Sequence, residues 1–122
     1  MRDADLAELV AAAGRLDQPG FGFDAETANR LAAFARHDDA GAQVDWSAWA
    51  GRLDDADLVA LIRLFTLAEA AFGNWEAGDA SPVIPLAAEL KRRGRYPDDL
   101  TAWIRANSSN RFLPYGNLMK RL

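Results

Sequence analysis

The sequence predicts an all-α fold, a compact bundle of about six helices, on three observations. Apolar residues recur three and four positions apart along most of the chain. Asp or Ser stands just ahead of most of these runs, where a helix needs a cap. Strand signals are missing, since no apolar/polar alternation reaches five residues and Val, Ile and Thr are sparse.

The elements follow in order. Asp3 can cap a first helix with Leu6, Leu9, Val10 and Ala13 on one face, ending near Gly14. DQPGFGF (17–23) is a Pro/Gly loop. Asp24 caps a second helix, with Ala28, Leu31, Ala32 and Ala35 together, ending around His37. Asp45 opens a short helix that places Trp46, Trp49 and Leu53 on one side. Asp54 or Asp55 begins the clearest element: Leu58, Leu61, Phe65, Ala68 and Phe72 share a narrow arc, and Leu64, Leu67 and Ala71 flank it. Only an edge around Arg63 and Thr66 is left for water, so this helix is expected at the centre of the fold, with Gly73 stopping it.

Ser81 followed by Pro82 is a helix start, because proline at the first helical position gives up a donor that has no partner there. Pro85 fits less well, since it removes a donor where intrahelical bonding begins. The helix runs to Lys91-Arg92-Arg93 and stops at Gly94. Pro97, Asp98 and Asp99 open another, with Leu100, Trp103 and Ile104 inward and Asn107 at its close. An irregular aromatic strap, SSNRFLPYG, then leads to a last helical turn at NLMKRL.

An internal echo links DADLAELV (3–10), DADLVALI (55–62) and PDDLTAWI (97–104). It suggests stacked helical pairs as a variant of the bundle; the plainer reading is that capped amphipathic helices resemble one another. The 122 residues, with no linker or composition break, are read as one domain, 1–122.

Composition narrows the function. There is no cysteine, which excludes disulfides, thiolate catalysis and cysteine-ligated metals. No targeting segment and no stretch apolar enough for a membrane is read, so the expected place is the cytoplasm. Alanine makes up about a fifth of the chain and arginine outnumbers lysine twelve to two, which suggests a GC-rich bacterial source. The net charge is −4 and the pI about 4.9. It divides unevenly, at −9 over residues 1–80 and +5 over residues 81–122. Such a division suits a charged binding face, or two halves that attract within one fold.

His37, in His37-Asp38-Asp39, is the single histidine, and it reads best as a helix-end residue that suits the helix dipole. No metal site and no cofactor is expected. No phosphate loop, dinucleotide fingerprint, nucleophile elbow or HExxH is present.

Three groups remain as candidates. Asn74, Trp75, Glu76, Asp79 and Ser81 lie in or next to one connection between two well-marked helices, and they form the ligand-pocket candidate, with Trp75 as loop anchor in the plainer reading. Arg111, Phe112 and Tyr115 form a recognition segment if the strap is not simply packed over the bundle. Lys91, Arg92, Arg93 and Arg95 are the candidate polyanion contacts, with Tyr96 close by for stacking, whereas bases in a last helical turn also complement its dipole.

The expected function is non-enzymatic: macromolecular binding, with a protein partner first, as an adaptor or inhibitor. Nucleic-acid or other polyanion binding through 91–121 is the alternative, and a small-ligand or enzyme site at the 73–81 loop the third. Oligomeric state is open.

Overall fold

A computed structural model of the chain describes residues 3–15, 45–71 and 81–108. These hold five helices packed together: α1 (Asp3–Ala13), α2 (Trp46–Ala50), α3 (Asp55–Ala71), α4 (Val83–Arg93) and α5 (Leu100–Asn107). No strand occurs among the described residues. The helix expected from Asp24, the surroundings of His37, the 73–80 loop and the aromatic strap beyond Ser108 lie outside them.

Side-chain caps mark the starts of α2 and α3, whereas Asp99 precedes α5 without a side-chain cap bond. Asp45 accepts the Ala48 amide on Oδ1 at 3.2 Å, which starts α2. Asp54, rather than Asp55, caps α3: its Oδ1 accepts the Asp57 amide at 2.8 Å. Ser81 and Pro82 precede α4. The Ser81 hydroxyl accepts the Val83 amide at 3.2 Å, and the Ser81 carbonyl accepts the Ile84 amide at 3.2 Å. Pro85 has no N–H to give that carbonyl. The tighter bond from Ile84 takes its place, which is how a proline is tolerated so early in the helix.

Gly94 ends α4. Its φ of 70° is the left-handed conformation that glycine adopts without strain. The Gly94 amide donates to the Lys91 carbonyl at 3.0 Å, and the Arg95 amide donates to the Leu90 carbonyl at 2.9 Å. These are the paired bonds of a Schellman cap. Asn107 closes α5 by donating from Nδ2 to the Trp103 carbonyl at 2.8 Å.

α3 is the central element and packs against α1, α4 and α5, while α2 packs against α4. Leu58, Leu61, Phe65 and Ala68 on its expected arc are fully buried, as is Leu64 on the flank. Facing them are Leu6 and Leu9 of α1, Val83, Leu86 and Leu90 of α4, and Leu100 and Ile104 of α5, all in one core cluster. The three helices that carry the sequence echo thus meet at α3.

Some sequence expectations change: Trp103, expected inward, is only partly buried. Val10, expected inward, is only partly buried, and Ala12 is buried instead. Thr66, expected at a solvent edge, is fully buried. Its hydroxyl donates to the Ile62 carbonyl at 2.7 Å, one turn back. That bond satisfies the polar atom inside the helix itself, so threonine can face the core at little cost.

Candidate functional site

The basic run at the end of α4 is the candidate group that the described residues cover most fully. Each of its members has a partner. Arg92 holds Glu89, three positions earlier, with Nη2 2.6 Å from Oε2 and Nε 2.9 Å from the same oxygen. Arg93 reaches Glu89 from one turn on, with Nε 3.4 Å from Oε2. It also leaves its own helix. Its Nη1 donates to Asp55 Oδ1 at 3.0 Å, and its Nη2 to the Ala50 carbonyl at 3.3 Å. Arg95 approaches the other oxygen of Asp55 at 3.8 Å. Lys91 lies over the Tyr96 ring, 5.0 Å from its centroid, and the Tyr96 hydroxyl is 2.8 Å from that of Thr101.

The chemistry of this cluster is therefore that of an ion-pair network. Three guanidinium groups share two carboxylates, Glu89 and Asp55. The hydrogen bond from Arg92 holds the Glu89 carboxyl below its ordinary pKa against the opposing effect of desolvation, with the charges of Arg92 and Arg93 adding to it. Asp98 and Asp99, three and four positions after Arg95 in the chain, are exposed.

A second feature involves tryptophan. Trp49 of α2 is partly buried, and the Arg52 guanidinium lies 4.6 Å above its ring centroid. Trp103 of α5 is likewise partly buried, under Arg63 of α3 at 5.4 Å. Such stacking is worth about 0.5–1 kcal/mol at exposed positions. Each pair keeps a large ring at the surface with a cation on its face. The sequence reading did not single out these pairs. The spacing of Trp49 and Arg52, three apart at a helix end, was legible in principle. The Arg63–Trp103 contact joins α3 to α5 and leaves no local trace.

Among the ligand-pocket candidates only Ser81 falls within the described residues. It is buried, and its hydroxyl and carbonyl oxygens both serve the start of α4. Asn74, Trp75, Glu76, Asp79, Arg111, Phe112 and Tyr115 lie outside the described residues.

Asp57, in the first turn of α3, has its carboxyl pKa raised, first by partial burial and then by the charge of Asp54. Among the described residues no group of three His, Cys, Asp or Glu side chains could hold a metal ion. No helix among them is long and apolar enough to cross a membrane.

Comparison with family models, curated proteins and solved structures gives no match to this chain.

Proposed function

We propose that the chain is a non-enzymatic helical domain that binds another protein, as an adaptor or inhibitor, and that Trp49 with Arg52 forms part of the contact. The observation that carries this reading is the partly exposed Trp49 ring with the Arg52 guanidinium stacked on it. Tryptophan and arginine are the residues most enriched where binding energy concentrates at protein interfaces. The pairing also holds the ring in place before any partner arrives, which reduces the ordering cost of association.

The rival reading is polyanion binding by Lys91, Arg92, Arg93 and Arg95. Internal pairing with Glu89 and Asp55 weighs against it, because phosphates would have to displace carboxylates already held at 2.6–3.8 Å.

Native mass spectrometry of the tagged full chain, drawn gently from its own cells with and without nuclease, tests the proposal. The expected result is a protein at fixed stoichiometry in both samples, lost from Trp49→Ala when circular dichroism shows that variant still helical. A partner that survives Trp49→Ala removes this surface from the reading. Bound mass that vanishes with nuclease overturns it in favour of the basic run. A bare chain in both samples overturns it in favour of a small ligand, and the 73–81 loop becomes the place to look.

A further inference from the structure

α2 cannot hold itself in place. It has five residues, against the roughly 12–15 that an isolated helix needs to be even marginal in water. Its position comes from what it touches. On the apolar side, Trp46 packs edge-on against Phe65, and Ala50 is fully buried. On the polar side stands Arg93. Its guanidinium bonds the Ala50 carbonyl at the end of α2 and the Asp55 carboxylate at the start of α3. These two acceptors flank the turn 51–54, so one side chain from α4 clasps both ends of it.

The clasp belongs to a row of alternating charge: Arg92, Glu89, Arg93, Asp55, Arg95. The middle arginine is shielded, with its side chain 20% exposed. The arginines at the two ends are both 71% exposed. Dissolved ions reach such a row, and its attractions weaken as ionic strength rises. α3, by contrast, has a start of its own. The Asp54 cap on the Asp57 amide uses no atom of Arg93. The chain can therefore bend between Leu53 and Asp54 without fraying α3.

We propose that residues 45–53 form a flap latched by Arg93, which opens while α3, α4 and α5 stay folded, and that ionic strength sets how often it opens. Opening separates Trp46 from Phe65 and bares the apolar seat beneath α2. The device does not depend on the binding role argued above. It rests on a short helix, a cross-helix clasp and a hinge beside an independent cap.

Hydrogen exchange of the full chain, read by mass spectrometry at peptide resolution, tests this. The amides to follow are Trp49, Arg52 and Leu53, which bond the carbonyls of Asp45, Trp49 and Ala50. In Arg93→Gln these are expected to exchange about tenfold faster or more, as loss of a charge-assisted bond implies, while Phe65 and Leu90 keep their protection. Arg93→Lys keeps the charge but not the fork, and is expected to fall between. In the unmodified protein, going from about 50 mM to about 1 M salt is expected to speed the same amides selectively. Equal acceleration of flap and core in Arg93→Gln, or no change in the flap, overturns the proposal. If Arg93→Gln does not fold, the salt series on the unmodified chain decides: flap exchange that is independent of salt overturns it.

Discussion

Trp46 of α2 meets Phe65 of α3 edge-on, with ring centroids 5.2 Å apart and planes at 73°. This is a favourable geometry for two aromatic rings, since the positive edge of one faces the negative face of the other. Among the described residues Phe65 is the largest of the fully buried side chains, and it lies on the central helix. Phe65→Ala is expected to lower the unfolding free energy by about 3–5 kcal/mol, and Phe65→Leu by clearly less, because leucine refills most of the volume. Urea unfolding followed by circular dichroism measures both.

Arg93 and Asp55 are thirty-eight positions apart and bonded at 3.0 Å. Asp55 keeps 46% of its side chain exposed, so solvent screens the pair. Asp55→Asn is expected to cost about 1 kcal/mol. A double-mutant cycle with Arg93→Gln should return a coupling smaller than the full loss from Arg93→Gln, since that residue also bonds Ala50 and Glu89. A coupling of zero would show that the pair contributes nothing to stability.

Thr66 provides a test of burial against polarity. Its hydroxyl is satisfied within its own helix by the Ile62 carbonyl. Thr66→Val keeps the shape and removes both the hydroxyl and its need for a partner, so stability should change by less than about 1 kcal/mol. Thr66→Lys forces a charge into a fully buried position, and is expected to destabilise by about 3 kcal/mol or more. A tolerated lysine in thermal unfolding would place this edge in solvent.

Gly94 has the left-handed φ of 70°, and a β-carbon there would meet nothing within 4 Å. Any cost of Gly94→Ala is therefore conformational and should be about 1 kcal/mol. Gly94→Asn should cost less, as asparagine visits this region more readily. Equal losses for the two variants in chemical unfolding would contradict a backbone origin.

The carboxyls of Glu89 and Asp57 are displaced in opposite directions from their ordinary pKa values. The Arg92 hydrogen bond lowers the Glu89 pKa in the folded chain. Its stabilising contribution is then complete above the ordinary glutamate value of about 4.3 and is lost as pH falls through the folded pKa. Burial, then Asp54, raises the Asp57 pKa. Between its ordinary and folded values, stability falls as pH rises. In carbon-detected NMR titrations, Arg92→Gln should move the Glu89 midpoint up. Asp54→Asn should bring the Asp57 midpoint part of the way down and leave the effect of burial.

Local rules made much of this architecture readable. Asp45, Asp54, Ser81 and Gly94 act at helix ends through bonds to residues two to four positions away, so sequence spacing carries their roles. The arc of Leu58, Leu61, Phe65 and Ala68 marked the core face of α3 because helical geometry alone brings those residues together. The pairing of Arg92 with Glu89 follows from the same three-residue spacing.

What only tertiary packing decided lies across elements. Nothing near Arg93 in the chain points to Asp55 or to the Ala50 carbonyl, and nothing near Arg63 points to Trp103. The basic run is legible in sequence only as a group of bases, suited to a helix end or to an anion, because its neighbours in the chain are bases. Its pairing with Asp55 arises because α3 and α4 pack side by side and bring a distant carboxylate into reach. Thr66 changed from edge to core for the same reason. Which face of a helix stays wet is set by what surrounds it, and among the described residues α1, α2, α4 and α5 all touch α3. Helix positions and caps are thus written locally in this chain, whereas charge pairing and the last faces of the core are set by which helices end up adjacent.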